Sequence, residues 1–484
     1  MTKYKQLAED LKKEIQLGYY SEKERIPSLR EIQSLKFCSL TTAKEAYRIL
    51  EEEGYIFVVP KSGYFVHPNI SSVISGPQNE FYPAVEADDR IQQIMRTVMD
   101  PKLISFGAAI PSDFYLPLGG LVSSFKKALR HKEIFSYGDL QGNSELREWI
   151  SKRLSIQGYR VNSEQIQITN GCTEAITFSL ATATEPGDTV IVPSPIYVGL
   201  FQILETLKLK VVEIPYREKE GISIDEYEKL IKRHKPKVFL FSANFNNPNG
   251  ILMSETSKQS LAKISYQFGI HLVEDDIYGD LYFSGTRPRP LVSDFPNDPK
   301  GPKSFLCSSF SKTIAPGLRM GWVASKNGIQ NLSKRTRAYK ISENHPTQMA
   351  VIQFLKLQTY ERHLKFLRSE YKKLTEEYSN LLSHYSEGSL NILKPDGGFV
   401  LWIKSPLDGN KLLNESKKIG MTIAPGSLFG LSKHWDNHFR LNVSVGFSPK
   451  IREKLLQFSK LLLKKKEKLI LKFLVATRRT GTNV

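Results

Sequence analysis

Cys307-Ser308-Ser309-Phe310-Ser311-Lys312-Thr313-Ile314-Ala315-Pro316-Gly317-Leu318-Arg319-Met320-Gly321-Trp322 decides how most of this chain is read. The segment continues Ser304-Phe305-Leu306-Cys307, a short apolar run that reads as a buried strand. A lysine just beyond such a strand is costly as a bare cation unless it is paired or its pKa falls. Condensed with an aldehyde, the same nitrogen needs no full charge. Ser309, Ser311 and Arg319 place two hydroxyls and a guanidinium nearby, the donor set that a phosphate dianion favours. Ser-x-Ser-Lys alone reads as a solvated loop. The arginine inside Ala315-Pro316-Gly317-Leu318-Arg319-Met320-Gly321-Trp322 argues against that reading.

Outward from this segment, short β-branched runs alternate with longer amphipathic ones from about residue 91 to 455. Gln167-Ile168-Thr169, Thr189-Val190-Ile191-Val192, Val238-Phe239-Leu240-Phe241 and His271-Leu272-Val273-Glu274 read as further strands. Such alternation predicts an α/β domain with a mainly parallel sheet, whose ligands bind beyond the carboxyl ends of the strands. The residues that follow those strands suit pyridoxal 5′-phosphate (PLP). That cofactor needs an amine, an acid for its pyridine nitrogen and a cup for its phosphate. Lys312 supplies the amine, for a Schiff base. Asp275 can pair with the pyridinium N–H, and Tyr278 and Asn247 can donate to the phenolic oxygen. Gly171, Cys172 and Thr173, in Thr169-Asn170-Gly171-Cys172-Thr173-Glu174-Ala175, open a helix whose backbone N–H groups and Thr173 hydroxyl form an anion site. Tyr197 can stack on the ring, Tyr137 can donate to a phosphate, and Arg440 can clamp a substrate carboxylate. Singly, each has a plain alternative: a helix cap for Asp275, a turn for Asn247, a core aromatic for Tyr197, a surface strand for Arg440.

Residues 1–66 read as a separate compact unit. Leu7, Leu11 and Ile15 recur at helical spacing, Ser28 and Glu31 form a capping box, and a third helix starts at Ser39-Leu40-Thr41-Thr42. Two short strands then flank Pro60-Lys61-Ser62, so the unit reads as a winged helix-turn-helix. Its recognition helix offers Ser39, Thr41, Thr42 and Lys44 to DNA. Arg30 can reach a phosphate, and Lys61 on the wing can reach the backbone or the minor groove. Ser39 and Thr42 also suit simple capping. Residues 67–90 lack periodicity and read as a linker, and residues 456–484 read as a basic tail with no assigned role.

The net charge of +18 is consistent with a polyanionic partner, but much of the excess sits at the C-terminal end, in Lys460, Lys464 and their neighbours. Three distant cysteines offer neither a metal site nor a disulfide framework, which points to a reduced, cytoplasmic setting. No apolar run is long enough to span a membrane.

Ile26-Pro27-Ser28-Leu29-Arg30-Glu31, Ser39-Leu40-Thr41-Thr42-Ala43-Lys44-Glu45-Ala46-Tyr47 and Lys61-Ser62-Gly63-Tyr64-Phe65-Val66 resemble the GntR family of bacterial transcription factors. The resemblance implies DNA contacts from Arg30, Thr41, Thr42, Lys44 and Gly63. Leu40 departs from it, because the family often places a guanine-reading arginine there. The PLP segments resemble class I/II aminotransferases of fold type I, with large and small subdomains. That resemblance makes Lys312 both anchor and general base, and sends Tyr137 to the neighbouring subunit's phosphate in a homodimer. Ala109-Ile110-Pro111 stands where that family usually has Gly-x-Pro. The two halves together resemble the MocR group of regulators. A regulator that senses an amino acid or amine at Lys312 is therefore the leading expectation. A working aminotransferase with a DNA-binding head is the alternative. Arg440 weighs against a pure sensor of the vitamin, which needs no carboxylate clamp.

Overall fold

The computed structural model describes residues 3–16, 20, 25–36, 38–60, 62–67, 81–82, 89–217, 221–357 and 359–463. Lys61 and the basic residues from 464 onward lie outside the described residues. The chain divides into two compact units, Met1–Gln78 and Asn79–Val484.

The first unit contains helices Lys3–Gln16, Leu29–Leu35 and Leu40–Glu52, followed by an antiparallel hairpin of Ile56–Val59 with Gly63–Val66. The apolar faces of the three helices meet at Leu7, Leu11, Ile32, Ala46, Tyr47 and Leu50. The wing is tied in by Ile56 and Val66, which sit opposite each other in the hairpin and are both buried. Tyr47 fixes the approach to the second helix, because its hydroxyl donates to the Pro27 carbonyl at 2.5 Å. Ser28 and Glu31 form the reciprocal cap that the sequence predicts: the Ser28 hydroxyl accepts from Glu31 N–H, and the Glu31 carboxylate accepts from Ser28 N–H.

The second unit is built on a sheet of strands in the order Phe81–Tyr82, Lys210–Arg217, Thr189–Ser194, Val238–Phe241, His271–Asp275, Ser304–Ser309, Gly321–Ala324 and Ile166–Thr169. The five strands from Lys210–Arg217 to Ser304–Ser309 pair in parallel, and Gly321–Ala324 runs against both its neighbours. Buried on both faces, the central strands read as nearly continuous apolar runs, as parallel strands do. A smaller antiparallel sheet joins Asn391–Leu393, Val400–Lys404, His438–Asn442 and Ala424–Pro425. It packs against the 26-residue helix Tyr360–Tyr385 through Leu367, Tyr371, Leu374 and Tyr378.

Two sequence-drawn boundaries shift. Phe81–Tyr82, inside the stretch read as linker, forms an edge strand antiparallel to Lys210–Arg217. A two-residue strand carries no periodicity, so pattern alone passes over it. The sequence predicts a basic tail from 456, whereas the structure has a helix over 449–463, with Leu455, Phe458 and Leu462 buried in the small subdomain's core. Lys450 and Lys460 are exposed, and the lysine run that begins at Lys460 masks that apolar spacing.

Candidate functional site

The carboxyl ends of the parallel strands open into a cavity of about 420 Å³. Asp275 ends its strand there, Lys312 follows the next, and Arg319 closes the same loop in a left-handed conformation with φ 47°. Cys172 and Thr173 reach the cavity from the start of helix Cys172–Ala183, and Tyr197 from the cap of helix Val198–Thr206. Asn247, Tyr278 and Ser311 complete the wall, and Arg440 enters from the small sheet. Ser309 is buried just behind, its hydroxyl accepting from Ser311 N–H at 3.3 Å. Gly171 has φ 88°, and a Cβ there would meet Arg319 Nη2 at 2.6 Å, so glycine is what lets the guanidinium lie across the helix start.

The charges are set by burial. Lys312 Nζ donates to the Ala109 carbonyl at 2.7 Å, and desolvation together with Arg440 lowers its pKa to about 8. Burial raises Asp275 to about 6, against hydrogen bonds from Cys172 and Ile277 N–H that favour the carboxylate. Burial also lowers Arg440 to about 10. Its Nη1 donates to Asn247 Oδ1 at 2.7 Å and its Nη2 donates to the Gly107 carbonyl. Arg440 Nε, Tyr278 Oη and Ser311 Oγ are buried without a hydrogen-bond partner in the structure.

Tyr137 is the exception among the predicted residues. It is 82% exposed and does not line the cavity of its own chain. Asn442 was passed over in the sequence. Its side chain donates to the Ala108 and Ile110 carbonyls, both at 2.8 Å, and so holds the loop that caps Lys312 and Arg440. The available signal was strand alternation, which puts residues 440 and 442 on one face. The sequence assigns Cys172 a backbone N–H at the anion site, and its thiol in addition lies 3.3 Å from Asp275 Oδ1.

In the head, Thr41 and Lys44 are exposed within the first five residues of helix Leu40–Glu52, and Arg30 is exposed on the preceding helix. The Ser39 hydroxyl caps that helix by accepting from Thr42 N–H at 3.1 Å and lies 2.8 Å from the Thr42 hydroxyl, so both residues hold the helix start. Gly63 has φ 115°, and a Cβ there would come 3.2 Å from Arg25 Nε. Arg25 thus puts a cation beside the wing that the sequence reading did not single out. Among the described residues, no group of three or more His, Cys, Asp or Glu could hold a metal ion, and no helix is long and apolar enough to cross a membrane.

Both units match known families. Residues 102–457 match aminotransferase class I and II, and residues 3–66 match the bacterial regulatory proteins of the gntR family. The HTH-type transcriptional regulator YdcR of Escherichia coli is 32% identical over 96% of this chain and 99% of its own length. The chain belongs to the MocR-type transcriptional regulators. Another regulator, NorG of Staphylococcus aureus, is 28% identical over 84% of this MocR-type chain and 92% of NorG. Among solved structures, the kynurenine aminotransferase of Pyrococcus horikoshii matches with a TM-score of 0.71 at 24% identity, covering 79% of this chain and 95% of that one. The α-aminoadipate aminotransferase LysN of Thermus thermophilus gives 0.70 at 23%, covering 79% and 97%. At those identities the likeness concerns the fold: the body of this MocR-type regulator is an aminotransferase fold.

Proposed function

We propose that this regulator holds PLP on Lys312, takes an amino acid into the same cavity, and changes its hold on DNA in response. The observation that carries the reading is the company Lys312 keeps. One cavity gathers a desolvated amine, one buried carboxylate, two further cations and three buried polar atoms that lack partners. That donor set fits the cofactor. Lys312 would hold its aldehyde carbon, and Asp275 its ring nitrogen. Asn247 and Tyr278 would hold its phenolic oxygen, and Tyr197 its face. Ser309, Ser311, Arg319, Thr173 and the N–H groups from Gly171 onward would hold its phosphate. When bound, PLP supplies the electron sink for changes at an amino acid's α-carbon.

The protein's part is to bind and orient. Arg440 offers a guanidinium to the α-carboxylate, with Asn247 fixing its plane. Lys312, with its pKa brought down toward neutrality, can take and return a proton at Nζ. An amino acid can change DNA binding only if the two conformations hold it with different affinity. Because Arg440 sits on the small sheet and Lys312 in the turn just beyond strand Ser304–Ser309 of the large one, a ligand that engages both favours one placement of the small subdomain. The same residues support turnover as the second reading. Keto-acid release with an acceptor present distinguishes the two.

The partner of the body is a second copy of the chain. Tyr137 projects from a surface that also exposes Phe135, Tyr339 and Ile341, each at least 70% exposed. Tyr137 would reach the partner's phosphate from there. Two heads on one dimer favour paired half-sites on double-stranded DNA, and that role puts the protein in the cytoplasm.

The deciding experiment is DNA binding of the holoprotein to its own upstream region, with and without a panel of amino acids. An amino-acid-dependent shift supports the regulator, and binding indifferent to every amino acid and amine removes the sensing claim. Lys44→Ala is expected to weaken DNA binding about equally for all sequences. It should also lower the slope of log affinity against log salt by about 1, as for one lost phosphate contact. An unchanged slope in a salt titration would remove Lys44 from the interface.

A further inference from the structure

The segment Thr169-Asn170-Gly171-Cys172-Thr173 puts a thiol beside the backbone N–H groups that the sequence assigns to the anion site. Its position is fixed by close packing. Cys172 begins its helix directly after Gly171, and a Cβ on Gly321 of the neighbouring strand would lie 2.5 Å from Gly171 C and 2.9 Å from Cys172 N. The side chain is thereby delivered to the floor of the cavity, with Sγ 3.3 Å from Asp275 Oδ1. The second donor to Asp275, Ile277 N–H at 3.2 Å, meets the same oxygen. Among the described residues, both donors converge on Oδ1, which leaves Oδ2 to accept from whatever occupies the cavity.

We propose that Cys172 is a positioning residue for the cofactor: its thiol donates to Asp275 Oδ1 and so holds Oδ2 toward the pyridine nitrogen. This rests on the reading of Asp275 given under Proposed function. The chemistry of the thiol agrees. Burial and the adjacent Asp275 raise its pKa well above the ordinary value, so it stays protonated and acts as a donor. A thiolate there would repel the carboxylate it touches. Cys307 lies opposite Asp275 in the neighbouring strand and has its own contact with the Ser179 hydroxyl.

The consequence is a pH effect with a defined sign. The carboxylate pairs with a protonated ring, so cofactor affinity falls as pH drops through the Asp275 pKa of about 6. The thiol favours the carboxylate, so removing it moves that acid limb to higher pH. The other groups that act on Asp275 are Asp276, which raises its pKa, and Lys312, which lowers it, with Tyr197, Tyr278 and Cys307 also nearby. All of them are common to every Cys172 variant, so the difference between variants isolates the thiol.

The test is equilibrium binding of PLP to full-length apoprotein from about pH 5 to 8, for wild type, Cys172→Ala, Cys172→Ser and Asp275→Asn, with circular dichroism as the fold control. Cys172→Ala is expected to bind about three- to tenfold more weakly, the usual worth of one hydrogen bond, with its acid limb moved up in pH. Cys172→Ser keeps a donor and is expected to restore most of both. Cys172→Gly removes the same donor if the alanine variant does not fold. Wild-type affinity and an unmoved limb in the donor-free variant overturn the proposal, as does equal loss in Ala and Ser without a limb shift, which is a packing effect. If Asp275→Asn binds PLP like wild type, the reading of Asp275 fails first. If Asp275→Asn is impaired and the donor-free variant is not, only the role of Cys172 falls.

Discussion

Lys312→Ala is expected to give a folded, DNA-binding and colourless protein. The near-visible band of the lysine-linked cofactor should be absent after dialysis, because no other lysine among the described residues lines the cavity to replace the linkage. The fold should survive, and the sign follows from the lysine's surroundings. Burial first, then Arg440, hold Lys312 at about 8, below the ordinary lysine value of 10.5. A basic group whose folded pKa is depressed costs stability wherever the unfolded chain is protonated and the folded one resists protonation. That cost is fully present below about pH 8 and fades as pH rises toward 10.5. The apoprotein of the variant should therefore melt at or above the wild-type apoprotein at pH 7, with the gap closing at alkaline pH. Added PLP should raise the melting temperature of wild type well above that of the variant, which keeps the ring and phosphate contacts but loses the covalent one. A variant apoprotein that melts well below wild type at pH 7 would mean that the ammonium group supports the fold.

Arg440→Gln is expected to blunt the response to amino acids while sparing amines that lack the carboxylate. The guanidinium is buried, keeps Nε without a partner, and is held by Asn247 and the Gly107 carbonyl. A charged hydrogen-bonding partner of this kind contributes about 1.5–3 kcal/mol, roughly 10- to 150-fold in the amino-acid concentration needed for half the spectral change. A decarboxylated analogue of the same side chain should titrate alike in both proteins. Equal loss for the amino acid and its amine would show that Arg440 shapes the cavity without reading the carboxylate.

Much of this was legible because the chemistry follows strands. Lys312, Asp275 and Asn247 come shortly after apolar runs of four to six residues, and a parallel sheet brings such ends together without help from the intervening sequence. The head was legible for a different reason: its caps and turn residues are local, so Ser28, Glu31 and Gly63 carry their own signals. Contacts across long separations were not legible. Cys172 and Asp275 stand 103 residues apart, and nothing in either segment says that a thiol will point at a carboxylate. Asn442 and the Ala108–Ile110 carbonyls lie more than 330 residues apart, and only the folded chain brings them together. The strand Phe81–Tyr82 was missed because two residues cannot show a period. The end of the helix over 449–463 is masked in the sequence by the lysine run that begins at Lys460 and continues past it, although Leu455, Phe458 and Leu462 keep an apolar spacing. Tyr137 is a further case. It is 82% exposed and lies outside the cavity of its own chain.

The central claim is that one amine, Lys312, carries the vitamin. Purified protein incubated with PLP can be reduced with borohydride, digested and mapped by mass spectrometry. The account predicts a single phosphopyridoxyl group on the peptide that contains Ser311-Lys312-Thr313, absent from Lys312→Ala. A label on another lysine, or none on a protein that is otherwise folded, would contradict it.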